Sequence, residues 1–379
     1  MSIDEIYESV RNKMGIGPIA FPKHKKVLEF LKQIWNQEEI QLLDHFDGSF
    51  QFLTARKLSK KANLEKDKVK DILKKLAGRG TIIKMGGQYA LLTIAPGLYE
   101  HYILTRGDTE ENYQKFIKFF QWAILNLFPQ VYRAADPPIW HPKLPLDAED
   151  KMIIIDEAIP IKNQQVIPGE LVDAIIEKSE KFVKLTCQCR LIGKEMGNPC
   201  KTPDELGCLL CGMTAKMILE VNPNVDMCEE ITKDEAIQYI RDCEKAGLVH
   251  MGINSGGPEA FTFFCNCCSC HCLGLSGMKK LGVSDYGKSN FQPRIIHELC
   301  SLCNTCVIKC PMEAIIHQYP VKKDLSDEKI IIMTQKCIGC GVCAANCPKE
   351  AIKLVKISTD KAPPTLHLGG KSIKSLIGL

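Results

Sequence analysis

The spacing of apolar side chains predicts helices through the first third of the chain. Between Lys25 and Trp35 the apolar residues recur at helical intervals, and Glu38–Phe46 is expected to begin the next helix. Two more helices are predicted over Ala55–Ala62 and Lys66–Ala77. The second of these carries an apolar stripe formed by Val69, Ile72, Leu73 and Leu76. One face of that helix should therefore be buried.

A hairpin is predicted after these helices, with Thr81–Met85 and Tyr89–Thr93 as its strands and Gly86 and Gly87 at its tip. Helix, turn, helix and hairpin resemble a winged helix, a fold that often places its second helix in the DNA major groove. The region is rich in basic residues: Arg56, Lys57, Lys60, Lys61, Lys66, Lys68, Lys70, Lys74, Lys75, Arg79 and Lys84. They would neutralise phosphates if they shared one face. A solvated helix surface and a protein-interaction module are the alternatives, because acidic residues interrupt the run.

The middle of the chain is predicted to be a helical and proline-rich connector. The apolar stretch Phe116–Phe128 contains polar residues and is too short to cross a bilayer, so a packed helix is expected. Another helix is predicted within Pro168–Lys184. Further on, Thr232 and Glu235 form a capping box that starts a helix, and Gly247 ends it.

Composition narrows the class of protein. A chain of 379 residues suggests two or three domains, and a net charge of +4 neither requires nor excludes an anionic partner. The polar, acidic start MSIDEIYESVRNK is unlike a secretory leader, so we expect a cytoplasmic protein without a membrane span. The cytosol keeps thiols reduced, so the 20 cysteines are expected to be metal ligands rather than disulfides.

Eight of those cysteines lie in a repeated phrase. CSLCNTCVIKCPMEAI begins at Cys300, and CIGCGVCAANCPKEAI begins at Cys337. Both copies read CxxCxxCxxxCP, the two-cluster ferredoxin signature, in which the fourth cysteine ligates the other cluster. The signature implies one [4Fe-4S] cluster on Cys300, Cys303, Cys306 and Cys347. It implies a second on Cys337, Cys340, Cys343 and Cys310.

The remaining cysteines concentrate in a central segment. The phrase CQCR is followed by cysteines in a glycine- and proline-rich stretch that is expected to form a metal-wrapping loop. The phrase FCNCCSCHC is also expected to wind around a metal, because a strand cannot place all its thiols on one face. Candidate ligands of a third and possible fourth cluster are Cys187, Cys189, Cys200, Cys208, Cys265, Cys267, Cys268, Cys270 and Cys272. His271 is a minor candidate and zinc the alternative metal. Cys228 and Cys243 are expected to pack as small apolar residues.

Taken together, CxCR, KAGLVHMG, GPEAFTFFCNCCSCHC, KSNF and the CP repeat resemble a family of bacterial and archaeal winged-helix proteins that end in a dicluster ferredoxin domain. The likeness covers roughly Leu53 to Ile352. It implies a 4Fe-4S electron-transfer protein that serves an anaerobic oxidoreductase. One departure is the first repeat, CSLCNTC, which lacks the glycines of CIGCGVC; we expect the two clusters to differ in potential.

The predicted fold class is α+β and multidomain. The expected division is a winged-helix-like domain over 1–105, a connector over 106–180, a cysteine-rich cluster-binding domain over 181–285, a two-[4Fe-4S] ferredoxin domain over 286–356 and a flexible tail over 357–379. We expect an electron carrier or oxidoreductase subunit that relays single electrons to a partner oxidoreductase. A redox-responsive DNA-binding regulator and a reductase acting at the central cysteines are the alternatives. No Walker loop and no HExxH motif occurs, and no catalytic side chain is assigned.

Overall fold

The chain divides into two compact units in a computed structural model. The structure describes residues 1–15, 21–133, 140–153, 168–221, 225–253, 262–282, 284, 287–320, 328–358, 367–368 and 371–372. Unit 1 consists of Met1–Leu127, Lys216–Glu229 and Leu366–Leu379, and unit 2 consists of Phe128–Ala215 and Glu230–Thr365. The five-part division made from the sequence stays a prediction. Most of the predicted tail lies outside the described residues.

Unit 1 is mainly helical. Its helices are α1 (Ile3–Lys13), α2 (Lys25–Ile34), α3 (Gln37–Leu43), α4 (Ala55–Ala62), α5 (Lys66–Gly78), α6 (Tyr99–Thr105) and α7 (Glu110–Asn126). Its core is aromatic: the ring of Phe30 stacks on Phe119 at 4.0 Å and meets Phe116 edge-on. The helices predicted from periodicity in this region are confirmed.

A small antiparallel sheet accompanies these helices. The strands β1 (Leu53–Thr54), β2 (Ile83–Met85) and β3 (Gln88–Ala90) form a sheet in the order β1-β3-β2. Gly86 and Gly87 have φ angles of 51° and 78° and form the tip of the predicted hairpin, which is confirmed. Both residues therefore adopt the left-handed backbone conformation that glycine tolerates best.

Unit 2 contains a larger sheet whose strands are joined mainly through short helices. Its strands are β4 (Trp140–Pro142), β5 (Phe182–Leu185), β6 (Cys208–Cys211), β7 (Cys228–Ile231, of which Glu230 and Ile231 belong to this unit), β8 (Val249–Ile253) and β9 (Thr262–Cys267). The order is β4-β8-β9-β6-β5-β7. The pairs β4–β8, β8–β9, β9–β6 and β6–β5 are antiparallel.

The helices of this unit are α8 (Phe128–Arg133), α9 (Val172–Glu177), α10 (Gln188–Glu195), α11 (Gly212–Val221, of which 212–215 belong to this unit), α12 (Lys233–Lys245) and α13 (Leu275–Leu281). The capping box predicted at Thr232 and Glu235 is confirmed, because each side chain accepts a hydrogen bond from the other residue's backbone N–H. Side chains of α9 and α12 form one apolar core with Phe182 and Phe264 of the sheet. That core supports the strands that carry central cysteines.

The C-terminal part of unit 2 has two antiparallel sheets of two strands each and two short helices. The strands β10 (Phe291–Ile295) and β13 (Ile352–Lys356) pair antiparallel, as do β11 (Ile315–Gln318) and β12 (Lys329–Ile332). The helices α14 (Thr305–Lys309) and α15 (Val342–Ala345) follow the first cysteines of each repeat. Cys306 and Cys343 belong to the apolar core between these elements.

Two remaining strands, β14 (His367–Leu368) and β15 (Lys371–Ser372), pair antiparallel in unit 1. Within the described ranges, no helix has both the length and the apolar character needed to span a bilayer.

Candidate metal centres

The two cysteine repeats surround two separate cavities. One cavity is lined by Cys300, Cys303, Cys306 and Cys347. A second cavity is lined by Cys310, Cys337, Cys340 and Cys343. Each cavity thus brings together three cysteines of one repeat and the last cysteine of the other. These are the two sets grouped from the sequence, although ligation by them stays a prediction.

The linings of both cavities fit iron-sulfur clusters. Besides its thiols, each cavity is bordered by apolar side chains: Ile295, Ile330 and Ile352 in the first, and Pro293, Met312 and Ile315 in the second. Four thiolates in apolar surroundings are the usual ligands of a [4Fe-4S] cluster. Burial raises the pKa of Cys306 to about 11, so a metal bound by this thiol would have to displace its proton at neutral pH.

The backbone of the first repeat follows the second in spite of its different residues. Gly339 and Gly341 have φ angles of 69° and 75°, and Leu302 and Asn304 have φ angles of 55° and 61° at the equivalent positions. Left-handed conformations are nevertheless present at both positions, so the two loops turn in the same way.

Residues 299–352 match the 4Fe-4S dicluster domain family. The match implies two [4Fe-4S] clusters and suggests an electron-transfer role. It covers the C-terminal repeat alone, so the winged-helix part of the resemblance stays a prediction. No curated protein and no solved structure matches the chain.

The central cysteines lie on regular elements more than the sequence suggested. Cys189 is in the first turn of α10, Cys208 begins β6, and Cys265 and Cys267 lie on β9. The prediction of a loop was therefore wrong at these positions. It was right for the turn after β9, which carries Cys268 to Cys272. The FCNCCSCHC phrase is therefore split between a strand and a turn. Asn266 lies between Cys265 and Cys267 and is buried on the opposite face from their thiols, so β9 pairs as an ordinary strand.

Six thiols form what we call the inner cysteine group: Cys187, Cys189, Cys208, Cys265, Cys267 and Cys272. Cys208 lies opposite Cys265 in the β6–β9 register, with the two Sγ atoms 3.3 Å apart. Sγ atoms of Cys267 and Cys272 are 3.1 Å apart, and Cys267 also contacts Cys265. Cys187 contacts Cys189, and both influence Cys208 electrostatically. The group is therefore a continuous set of thiols drawn from α10, β6, β9 and the turn.

Three other cysteines and a histidine form the outer Cys3His group: Cys200, Cys268, Cys270 and His271. Their ligand atoms all lie within 4.8 Å of one another, an arrangement able to hold a metal ion. Cys200 Sγ lies 3.3 Å from Cys270 Sγ, and His271 Nδ1 lies 3.1 Å from the same sulfur. His271 is a minor candidate by sequence, yet its ring nitrogen lies as close to the other ligand atoms as the thiols do to one another, within 4.8 Å.

Arg190 lies between the two groups and is 1% exposed. Its guanidinium donates to the carbonyl oxygens of Pro203 and Asn266, each at 3.1 Å, and to that of Leu206. A hydrogen bond from Cys270, aided by the Arg190 charge, lowers the pKa of Cys268. A hydrogen bond with Cys189 and the positive charge of Arg190 lower the pKa of Cys187. Arg190 therefore favours thiolates, the metal-binding form of cysteine.

A buried polar network fixes β9 in place. The side chain of Asn266 donates to the Gly207 carbonyl at 2.7 Å and meets His250 Nδ1 at 2.7 Å, while His250 Nε2 lies 3.4 Å from Glu244. Gly207 itself passes very close to the start of α10: a Cβ there would overlap the Leu185 carbonyl oxygen. This packing determines where Cys187 and Cys265 lie.

Sequence reasoning missed Arg190, because its partners are backbone carbonyls that leave no pattern in the chain. The adjacent CxC motif was the one available signal. Cys243 packs in the apolar core as predicted, and Cys211 joins it there. Burial raises the pKa of Cys211 to about 12, in keeping with an inert core thiol. Cys228 is partly exposed on β7.

Proposed function

We propose that the protein carries single electrons to or from a partner oxidoreductase. The observation that carries this proposal is the pair of cavities, each with four cysteines in the crossed arrangement. An iron-sulfur cluster, when bound, accepts and releases one electron with little change in its ligands. The chain's part is to hold the thiolates, to exclude water with the isoleucine and proline linings, and to keep the two sites within one folded unit.

The inner cysteine group is proposed to hold a third iron-sulfur cluster. Support comes from the number of thiols, from their origin on four different elements, and from the Arg190 charge that favours thiolates. Thiolates are the ligands that iron-sulfur clusters share with zinc, and six thiols exceed what one zinc ion takes.

The first cavity is the proposed side for electron exchange with the partner. Cys303 of this cavity is exposed, and the nearby Leu299 and Ile308 are 51% and 79% exposed. Exposed apolar side chains around a redox site favour transient contact with another protein. An external paramagnetic relaxation agent should broaden the signal of the cluster at Cys303 more than that of the cluster at Cys340. Equal broadening would contradict this choice of side.

Anaerobic iron and sulfide analysis with electron paramagnetic resonance tests the function. About eight irons per chain are expected from the dicluster domain and about twelve with the third cluster. Reduction should be reversible in one-electron steps. Cys208→Ser should remove about four irons while the dicluster signals persist, and Cys228→Ser should change neither. Fewer than about four irons, or protein that cannot be reduced, would contradict electron transfer.

A DNA-binding regulator remains a second candidate, because α5 exposes Lys66, Lys70 and Lys74 at four-residue spacing on one face. Two other lysines of this region are engaged instead: Lys61 with Asp47 and Lys68 with Glu38. Regulation predicts a retarded DNA complex at low salt that depends on the clusters. Its absence in both oxidised and reduced protein would remove this candidate.

A reductase acting at the inner cysteine group is the third candidate. It predicts turnover with an artificial reductant that is lost in Cys267→Ser while the dicluster signals remain. Unchanged turnover in that variant would contradict it.

A further inference from the structure

The outer Cys3His group is too compact for a cluster and has the dimensions of a single ion's coordination shell. Zinc–sulfur bonds of about 2.3 Å and zinc–nitrogen bonds of about 2.0 Å place tetrahedral ligand atoms about 3.5 to 3.8 Å apart. All four ligand atoms of the outer Cys3His group lie within 4.8 Å of one another. In a [4Fe-4S] cluster each thiolate binds a different iron, so the sulfurs surround a larger body.

We propose that Cys200, Cys268, Cys270 and His271 bind one tetrahedral zinc ion, separate from every iron-sulfur cluster of the chain. This assignment does not depend on the proposed electron transfer. It takes three cysteines out of the set of cluster candidates and leaves the inner cysteine group to the third cluster.

The hydrogen bond of His271 prepares its ring for a metal. Nε2 lies 2.8 Å from the carbonyl oxygen of Asn198, and a carbonyl can only accept, so Nε2 carries the proton. The Nδ1 lone pair is then left on the side of the ring that faces Cys270 Sγ. Metal-bound histidines usually donate their second N–H to a carbonyl or carboxylate in this way.

Helix α10 is shaped to receive the His271 ring. A Cβ on Gly193 would overlap Cδ2 of His271 and lie 2.6 Å from its Nε2, so the imidazole rests directly against the glycine backbone. The N–H of Asn198 donates a hydrogen bond to the Gly193 carbonyl oxygen at 2.8 Å. This bond holds Asn198 where its own carbonyl oxygen meets the imidazole. The end of α10 therefore supplies both the support and the hydrogen-bond acceptor for this histidine.

Charge also balances at this site. Three thiolates, a neutral imidazole and Zn²⁺ carry a formal charge of −1, and the Arg190 guanidinium contacts Cys268. The ion would tie the segment after α10, through Cys200, to the turn after β9. Because zinc has no redox chemistry, its role is to hold this turn in place beside the inner cysteine group.

The test is metal analysis of the full chain, purified without oxygen from zinc- and iron-replete cells. We expect about one zinc per chain in addition to iron, with X-ray absorption showing three sulfur neighbours at about 2.3 Å and one nitrogen at about 2.0 Å. His271→Ala should lower zinc at least fivefold and leave iron and the dicluster resonance signals unchanged. His271→Cys should restore zinc with four sulfur neighbours.

Two glycine variants separate this site from general damage. Gly193→Ala should displace His271 and lower zinc, whereas Gly274→Ala, where a Cβ meets nothing within 4 Å, should retain it. The proposal is overturned if the wild-type chain holds less than about 0.2 zinc, or if His271→Ala loses iron rather than zinc. Failure of electron transfer with one zinc still bound would count against the proposed function alone.

Discussion

Asn304 and Gly341 occupy equivalent left-handed positions in the two cysteine repeats, with φ angles of 61° and 75°. The surroundings explain why the residues differ. A Cβ on Gly341 would lie 2.6 Å from Cδ of Pro145, so the second repeat has no space for a side chain there. In the first repeat Asn304 has room to accept a hydrogen bond from His317 Nδ1 at 2.9 Å. Asparagine is among the residues that tolerate this conformation best.

Exchanging the two residues should therefore have unequal effects. Gly341→Asn is expected to lower the free energy of unfolding by about 1–3 kcal/mol, because the side chain collides with Pro145. Asn304→Gly should cost about 1 kcal/mol, mainly through the lost hydrogen bond to His317. Anaerobic denaturant unfolding with iron retained measures both. A larger loss in Asn304→Gly than in Gly341→Asn would contradict this explanation.

The crossed cavities predict which cysteine variants behave alike. Cys347→Ser and Cys303→Ser line the first cavity and should remove the same cluster, although the two residues belong to different repeats. Cys310→Ser and Cys340→Ser should remove the other cluster. Each variant should lose about four irons. Redox titration monitored by electron paramagnetic resonance measures the reduction potential of the cluster that each variant retains. The two variants of a pair should give the same potential. Matching potentials for Cys303→Ser and Cys310→Ser would instead indicate uncrossed ligation.

Local sequence patterns were enough for the parts of the fold that depend on near neighbours. The helical spacing of Val69, Ile72 and Leu76 predicted α5, and two consecutive glycines predicted the β2–β3 hairpin. The cysteine spacing also grouped the residues around both cavities, because the CP signature encodes a crossing that neither repeat shows alone.

The central region was harder because its contacts are distant in the chain. Cys208 meets Cys265 through a strand pairing that joins residues 57 apart, and nothing in either phrase specifies that register. Contacts with backbone acceptors also leave no signal in the sequence. The Asn198 carbonyl oxygen that orients His271 would be present with any side chain at position 198. The cysteine spacing of the CP repeat therefore predicted the residues of the dicluster sites, and no comparable motif predicted those of the central groups.

Lys143 predicts a pH dependence of stability. It lies buried with its Nζ 2.7 Å from His141 Nε2 and 2.5 Å from the Gly169 carbonyl oxygen, and Glu170 and Lys356 form a buried ion pair nearby. Burial lowers the pKa of Lys143 to about 7 from an ordinary value of 10.5, against the favourable charge of Glu170. Between these values the unfolded chain holds a proton that the folded chain lacks, so stability should rise with pH from about 7 to 10.5.

Lys143→Met removes that titration. We expect it to raise the free energy of unfolding at pH 6.5 by a few kcal/mol, with the gain shrinking toward pH 10. Chemical unfolding at several pH values, under anaerobic conditions, gives the slope. Lys178→Met, at an exposed position, is the control and should leave the slope unchanged. An identical slope in wild type and Lys143→Met would rule out this origin.

The three carbonyl contacts of Arg190 make it the residue of the central region that should tolerate change least. Lysine keeps the charge but cannot reach the carbonyl oxygens of Pro203, Leu206 and Asn266 at once, because it lacks the planar fork of the guanidinium. Arg190→Lys should therefore lower the free energy of unfolding by about 3 kcal/mol, since hydrogen bonds from charged groups contribute about 1.5–3 kcal/mol each. The central metals should be lost before the dicluster signals.

Arg241→Lys is the matched control: Arg241 pairs with Asp147 at 2.9 Å on the surface, where such a pair contributes about 1 kcal/mol or less. Equal effects of the two substitutions on stability and central metal content would show that Arg190 does not organise the site.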